Sequence, residues 1–211
     1  MELRLQSIEE FKSGLFKLRF DDTIMHFNSG QYIEIKPKNY VHYRMYSIYS
    51  GIGEKNLCIL LRRVSGGYLS PFLTGLKQDD IIEAKEPHGN FLKTLNSQSN
   101  NIFISSGTGI APFHSLIKSI PELNYILIQG IGKEDEIIDK EDYDPQKLVI
   151  CSRSSHTSAY RGRVTDYIKN NKFTNDAKFY FCGSSEMIIE GMRILIDRGY
   201  DKNSMQYENF Y

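Results

Sequence analysis

The chain has 211 residues, of which 40% are hydrophobic and 25% are charged. This is the composition of a globular protein, and it excludes a disordered or collagen-like chain. The 26 basic residues equal the 26 acidic ones, so the sequence has no overall basic character and no nucleic-acid partner is expected. The length is enough for one large or two small domains, each with its own core.

The three cysteines, Cys58, Cys151 and Cys182, are far apart in the sequence. Their spacing provides neither a disulfide framework nor the paired ligands of a zinc or iron–sulfur site. We therefore expect no metal and predict a reducing, cytoplasmic location. The N-terminal segment carries charges throughout, and no apolar run approaches the roughly 20 residues of a membrane span, so no membrane association is expected.

Six short strands are predicted in the first half of the chain, because β-formers alternate with glycine-containing turns. They cover residues 2–8, 15–20, 31–36, 43–49, 56–62 and 81–86, with one short helix at 69–76. This pattern predicts an antiparallel Greek-key β-barrel.

The second half alternates short apolar strands with helical segments. The strands are predicted at 101–106, 125–130, 148–152 and 178–182, and the helices at 111–120, 163–169 and 186–198. Such alternation predicts an α/β nucleotide-binding domain with a parallel sheet. Because the stretch 94–100 is polar, we place the domain boundary there, which gives domains 1–96 and 97–211.

The first motif that could carry chemistry is Arg44-Met45-Tyr46-Ser47, in a predicted barrel strand. An arginine can hold a phosphate with two hydrogen bonds, and Tyr46 lies on the same side of the strand. With the Ser47 hydroxyl beside it, this set suits a flavin. A strand with one exposed arginine and one packed tyrosine would look the same.

Two glycine-rich motifs each precede a helix. Gly66-Gly67-Tyr68-Leu69-Ser70 could bring backbone amides close to a phosphate at a helix start, or it could be a plain glycine turn. Gly107-Thr108-Gly109-Ile110-Ala111-Pro112-Phe113 follows a buried strand, and its amides could face a nucleotide. It departs from the G-x-G-x-x-G fingerprint because proline occupies position 112.

Polar residues follow the later strands as well. Ser152 and Arg153, with Arg163 ten residues after Arg153, could bind a terminal phosphate such as the 2′-phosphate of NADP. They could equally be solvated surface residues. Cys182 ends an apolar strand, and a lone cysteine there is usually buried packing.

The chain ends in the aromatic sequence Tyr207-Glu208-Asn209-Phe210-Tyr211. Termini are usually frayed and polar. The aromatic residues therefore either cover a bound group or anchor a final strand in the core.

Taken together and in this order, R-M-Y-S at 44–47, G-T-G-I-A-P-F at 107–113, C-G-S-S-E-M at 182–187 and Y-E-N-F at 207–210 resemble the ferredoxin–NADP reductase superfamily of flavoproteins. The resemblance implies FAD and NADP as cofactors. It also implies that a hydride passes from NADPH to FAD and that single electrons then pass to a carrier such as ferredoxin or flavodoxin.

The resemblance also implies roles for individual residues. Ser47, Cys182 and Glu208 would be catalytic, with Cys182 beside the nicotinamide and the other two near flavin N5. The implied cofactor-binding residues are Arg44, Tyr46, Ser47, Gly67, Tyr68, Leu69, Ser70, Gly107, Thr108, Gly109, Ser152, Arg153, Arg163, Phe210 and Tyr211. Phe210 or Tyr211 would cover the flavin ring, and the sequence leaves open which.

Two departures from the family pattern bear on the cofactor and the electron acceptor. The bacterial NADP-linked members often carry an arginine after the second strand of this domain, where this chain has Gly-Ile-Gly-Lys, and Lys133 could replace it. The ending resembles oxygenase reductases and flavohaemoglobin reductase domains. An NADH-using reductase component of an oxygenase, or a free-flavin reductase, is therefore the main alternative.

Two further alternatives are an FAD-holding assembly subunit and a binding module with a degenerate site. If the acceptor is an acidic carrier, the candidate docking residues are Lys36, Lys38, Arg62 and Arg63.

Overall fold

The computed structural model describes residues 1–11, 14–21, 25–133, 136–154 and 160–209. The chain divides into two units, one made of Met1–Thr94 with Ala111–Ser119 and the other of Leu95–Ile110 with Ile120–Tyr211. The sequence-based division assigns all of 97–211 to the second domain, whereas Ala111–Ser119 packs with the first unit. Among the helices in these described residues, none is long and apolar enough to cross a membrane.

The first unit is a six-stranded antiparallel sheet. Its strands are β1 (Glu2–Phe11), β2 (Leu15–Asp21), β3 (Tyr32–Lys36), β4 (Arg44–Ser47), β5 (Asn56–Arg62) and β6 (Ile81–Ala84), in the spatial order β4-β3-β6-β1-β2-β5. Ile48, directly after β4, pairs with Ile59 of β5, so the two edge strands meet. This closure confirms the predicted antiparallel barrel, and the short helix α1 (Leu69–Thr74) follows β5.

Alternating side chains fill the barrel. In β3, Ile33 and Ile35 are fully buried while the residues between and beside them are partly exposed, as the two-residue period of a strand requires. The same inward set includes Leu5, Leu18, Phe20, Leu57, Ile59, Leu61 and Ile82.

Helix α2 (Ala111–Ser119) packs within this first unit. The His114 ring stacks on the Tyr49 ring, with centroids 3.7 Å apart and planes within 1°. The His114 Nδ1 atom lies 2.7 Å from the Tyr49 carbonyl oxygen. The Ile52 amide donates to the Ser119 hydroxyl at 2.8 Å. These contacts, which no local sequence pattern reveals, account for the grouping of α2 with the first unit.

The second unit is a parallel sheet with helices. Its strands are β7 (Asn101–Ser106), β8 (Tyr125–Ile131), β9 (Leu148–Ser152), β10 (Tyr160–Arg161), β11 (Lys178–Gly183) and β12 (Met205–Asn209), in the order β10-β9-β8-β7-β11-β12. Two helices, α3 (Val164–Asn170) and α4 (Ser185–Asp197), accompany it. The predicted parallel α/β domain is confirmed.

The strand order of this sheet locates a crevice. From β7 the chain proceeds outward through β8 and β9, and it then returns to place β11 and β12 on the other side of β7. In open parallel sheets, ligands bind at the carboxyl ends of the strands where the order reverses. Gly107–Ile110, directly after β7, and Ser184, directly after β11, occupy this point.

Candidate functional site

A cavity of about 540 Å³ opens at the carboxyl ends of the parallel strands. Its walls come from the segments that follow β7, β8, β9 and β11, and they include Gly107, Gly132, Arg153, Arg163 and Ser184. All of these belong to the second unit. A cavity of this volume matches the size of ordinary small-molecule sites.

The two glycines of the G-T-G motif have different surroundings. At Gly107, where φ is +55°, a Cβ atom would meet nothing within 4 Å, and the residue lines the cavity. At Gly109 a Cβ atom would lie 2.8 Å from the Gly183 Cα and still closer to the Cys182 carbonyl group. Gly107 therefore leaves room in the cavity, whereas Gly109 allows two backbone segments to pack. Thr108 is half-buried and lies outside the cavity lining among the described residues.

Two of the three predicted phosphate-binding residues reach the cavity. Arg153 and Arg163 both line it and are exposed. Ser152 is buried, and its hydroxyl accepts a hydrogen bond from the Ser154 amide at 3.1 Å. The arginines are thus available to an anionic ligand, while the Ser152 side chain stabilises the turn after β9.

The sequence analysis missed the acidic side of this cavity. Glu136, Glu186 and Glu190 line it, and Glu136 is buried, with one carboxylate oxygen accepting from the Gly132 amide at 3.0 Å. The position of Glu136 just beyond the second parallel strand is the signal that could have identified it. Lys133, considered as a phosphate contact, is exposed and lies outside the cavity lining in the described part of the chain.

The cavity wall also contains an unpaired hydroxyl. Thr165 is buried, and its Oγ1 has no hydrogen-bond partner among the described residues. A buried polar atom without a partner is costly and usually indicates a missing one. The two arginines suit an anionic group and the three glutamates suit hydroxyl groups, so with the open space at Gly107 the residues present fit a polar ligand of nucleotide size that carries both.

The proposed catalytic thiol is inaccessible in this structure. Cys182 is fully buried, and burial, reinforced by the charge of Glu208, raises the pKa of its thiol well above the usual value. Glu208 pairs with Cys182 in the β11–β12 register and is partly exposed. Contact of the Cys182 side chain with a nicotinamide therefore stays a prediction. Phe210 and Tyr211 lie outside the described residues.

The R-M-Y-S motif forms strand β4 of the barrel. Arg44 is exposed, and its Nη1 donates to the Tyr43 carbonyl at 3.1 Å. Tyr46 is half-buried against the barrel core, and burial raises the pKa of its phenol to about 12 although Arg44 opposes the shift. Ser47 is buried. The strand therefore presents a cation beside an uncharged aromatic surface, which fits a flavin with its pyrophosphate.

In the glycine motif at residues 66–70, the groups accessible to a ligand are the main chain and the Tyr68 ring. Leu69 packs in the barrel core, and the Ser70 hydroxyl accepts from the Val64 amide at 3.0 Å. Tyr68, in contrast, is 56% exposed and stacks on Tyr40. The Gly67 amide donates to the Val64 carbonyl at 3.1 Å. Pyrophosphate contacts from this motif would therefore come from the main-chain amides at the start of α1, because the first amides of a helix lack intrahelical partners.

The two candidate docking lysines form ion pairs within the barrel unit. Lys36 forms an ion pair with Glu83 at 2.7 Å, and Lys38 forms one with Glu2 at 2.8 Å. Arg62 and Arg63 are exposed at the end of β5.

Comparison with known proteins identifies relatives of both halves. The model of the oxidoreductase FAD-binding domain matches residues 6–92. The flavohemoprotein of Bacillus subtilis is 26% identical over 96% of this chain and 56% of its own length. The toluate 1,2-dioxygenase electron transfer component of Pseudomonas putida is 26% identical over 87% of the chain and 59% of its own length. The chain thus spans little more than half of these two relatives, whereas it covers 87% of the ferredoxin–NADP reductase of Azotobacter vinelandii, at 25% identity over 91% of the chain.

Solved structures share the fold over the full chain. A ferredoxin NADP+ reductase from Neisseria gonorrhoeae with bound FAD and NADP has a TM-score of 0.89 at 20% identity, covering 100% of this chain and 98% of that one. The FAD/NAD-binding domain of the nitric oxide dioxygenase from Vibrio cholerae has a TM-score of 0.87 at 18% identity, covering 99% and 98%. The chain therefore has the fold of these reductases, and its residues 6–92 match the oxidoreductase FAD-binding domain.

Proposed function

We propose that the chain is an NADPH-dependent flavoprotein reductase that supplies single electrons to a carrier protein. The observation that carries the proposal is the cavity of the second unit, which contains Arg153, Arg163 and the open face of Gly107. Bound FAD would supply the redox chemistry, since a flavin can accept two electrons together and release them one at a time.

The barrel residues would bind the flavin and position it. The exposed Arg44 guanidinium is suited to two hydrogen bonds with a pyrophosphate. The Tyr46 phenol is uncharged at neutral pH, and burial raises its pKa further, to about 12. The half-buried ring therefore offers an apolar stacking surface. Ser47 would hold its hydroxyl near the flavin edge, the role that the family resemblance gives it.

The cavity residues would select NADPH and orient it. Arg153 and Arg163 would hold the 2′-phosphate, because a guanidinium matches phosphate geometry and keeps its charge. Gly107 would let a nucleotide approach the main chain after β7. Glu208 lies outside the cavity lining among the described residues, and its role in proton exchange near flavin N5 is the one that the family resemblance gives it.

The proposal is tested by anaerobic absorbance titration of the purified protein with NADPH and NADH. We expect rapid bleaching of the flavin by NADPH and slow bleaching by NADH. Arg153→Ala and Arg163→Ala should each weaken NADPH binding by about 10- to 100-fold and leave NADH binding unchanged. Arg161→Ala is the matched control, because Arg161 is exposed but lies outside the cavity lining.

A second candidate is an NADH-linked reductase, and Glu136 favours it. A carboxylate beyond the second strand of such a sheet typically binds the ribose diol of NAD and repels a 2′-phosphate. Glu136 is buried in the cavity wall, with one oxygen held by Gly132. Faster bleaching by NADH, with a shift towards NADPH in Glu136→Gln, would favour this candidate over the first.

The electron acceptor defines the third part of the proposal. A ferredoxin or flavodoxin is the first choice, and the dioxygenase and flavohemoprotein relatives make an oxygenase or a haem protein the alternative. Arg62 and Arg63 are the cations to test, because both are exposed at the end of β5. Charge reversal at Arg62 and Arg63 that leaves turnover with an acidic carrier unchanged would remove this docking surface.

A further inference from the structure

The turn that leads into α3 ties Arg163 to the end of β9. Strand β10 pairs with β9 in parallel, with Arg161 opposite Ser152. One residue later, the Gly162 amide donates to the Ser152 carbonyl at 2.9 Å. Because Arg153 follows Ser152 directly, these contacts hold the main chain of Arg163 close to that of Arg153, and both arginines line the cavity.

A carboxylate holds this turn from the side of the helix. Arg163 is the N-cap of α3, and its amide donates to Asp166 Oδ2 at 2.8 Å. The same oxygen packs on the preceding residue, since a Cβ at Gly162, where φ is +150°, would lie 3.0 Å from it. Asp166 therefore contacts both residues of the Gly162-Arg163 pair, and its negative charge suits the first turn of a helix.

Asp166 is unsuited to binding a phosphate itself. It is exposed and lies outside the cavity lining among the described residues, whereas the three residues before it, Arg163, Val164 and Thr165, all line the cavity. A carboxylate would also repel a phosphate. Asp166 can therefore strengthen the binding of an anionic ligand only by holding Arg163, and its own charge would weaken that binding.

The other end of α3 has a separate anchor. The Arg198 guanidinium donates to the carbonyl of Asn171 at 2.6 Å and also to the carbonyl of Ile168. The Ile168 side chain is buried in the core of the second unit. Loss of the Asp166 carboxylate would therefore release the turn that carries Arg163 and leave the rest of α3 in place.

We propose that Asp166 is a positioning residue that makes the cavity selective for a nucleotide with a 2′-phosphate. It fixes the main chain of Arg163 beside that of Arg153, so that both guanidinium groups can bind one phosphate. Ordering a segment on binding costs free energy, and a turn that is already held avoids part of that cost. The inference rests on the proposed function, in which these two arginines bind the 2′-phosphate.

The test is calorimetric binding of NADP+ and NAD+ to the full chain with bound FAD. The strength of a capping contact predicts that Asp166→Ala weakens NADP+ binding by about 2- to 30-fold and leaves NAD+ binding unchanged. Asp166→Asn keeps an oxygen that can accept from the Arg163 amide, so it should bind NADP+ at least as tightly as the wild type. Asp197→Ala is the matched control, because it removes an exposed carboxylate of α4 that lies outside the cavity lining in the described part of the chain.

A double-mutant cycle shows whether Asp166 acts through Arg163. In an Arg163→Ala background, Asp166→Ala should cause no further loss of NADP+ affinity. A further loss as large as in the wild-type background overturns the inference. Tighter NADP+ binding by Asp166→Ala also overturns it, because that is the result of charge repulsion alone. An equal loss of NADP+ and NAD+ affinity overturns it as well, because a merely structural role would weaken both.

Binding and turnover separate this inference from the proposed function. If the wild type prefers NADP+ and Asp166→Ala keeps that preference in full, the inference is overturned and the proposed function stands. If binding follows the expected pattern but the protein passes no electrons to a carrier, the inference is supported and the reductase proposal is overturned. A wild type with no preference for NADP+ overturns both. A circular dichroism spectrum of each variant establishes that it is folded.

Discussion

Replacing Gly109 with alanine tests whether this glycine is needed for packing rather than for nucleotide approach. The new methyl carbon would lie 2.8 Å from the Gly183 Cα and in direct overlap with the Cys182 carbonyl group. Both obstacles are main-chain atoms, so no side-chain rotation can relieve the overlap. The turn Gly107–Ile110 would have to move away from the end of β11.

The size of the effect follows from the geometry. Relieving the overlap requires a shift of about 1 Å, and overpacking a tight contact typically costs about 1–3 kcal/mol. Because the clash involves backbone on both sides, we expect the upper end, about 3 kcal/mol. Without a clash, Gly→Ala at a residue with ordinary φ would instead stabilise the fold by about 0.4–1 kcal/mol. The sign of the change in stability therefore shows whether the clash exists.

Gly107→Ala is the matched control two residues away. Its Cβ would meet nothing, and the φ of +55° alone predicts a loss of about 1 kcal/mol. At about 2–4 °C per kcal/mol for a chain of this size, Gly109→Ala should lower Tm by about 6–12 °C and Gly107→Ala by about 2–4 °C. Gly107→Ala should also weaken NADP+ binding, because its methyl group enters the cavity.

Thermal unfolding followed by circular dichroism, with calorimetric NADP+ titration, measures both effects. If Gly109→Ala were as stable as the wild type, the close packing of Gly107–Ile110 against β11 would be wrong.

Three further predictions concern titratable groups. Burial raises the folded-state pKa of Tyr46 from 10.0 to about 12, so the stability that the neutral phenol contributes is lost as pH rises from 10 to about 12. Tyr46→Phe should lose less stability over that pH range than the wild type. Urea titrations in which both proteins lost stability equally would contradict this. Lys85 and His88 lower the pKa of Glu34, so Glu34→Gln should reduce the free energy of unfolding at neutral pH, by less than about 1 kcal/mol. The difference between variant and wild type should vanish as pH falls through the folded-state pKa of Glu34. A reduction that does not depend on pH would point to packing instead. The buried Cys182 thiol, with its raised pKa, should react with a disulfide reagent only on unfolding, and rapid labelling of the native protein, read by mass spectrometry, would refute that placement.

The fold could be predicted because local sequence and tertiary structure agree. Tyr32–Lys36 alternates because only one face of that strand is buried, whereas Lys178–Gly183 is an apolar run because both of its faces are buried. The two-residue strand β10 was not predicted, since so short a segment has no period of its own.

The sequence predicted part of the cavity lining, and the lining residues that it missed have a common cause. Arg153 and Arg163 could be paired because the carboxyl ends of parallel strands meet at one edge of a sheet. Neither the inward position of Glu136 nor the diversion of the Ser152 hydroxyl to the Ser154 amide could be predicted. Both depend on how a loop closes, which residue type alone leaves open.

The sequence by itself determined the element types, the barrel followed by a parallel sheet, and the motifs at the strand ends. The tertiary structure alone decided that Gly109 serves packing while Gly107 faces the cavity. It also decided that α2 packs in the first unit through His114 and Tyr49, and that Tyr40 stacks on Tyr68. Backbone periodicity is a local property that neighbours in sequence impose, whereas the contacts of one glycine or one ring depend on residues distant along the chain.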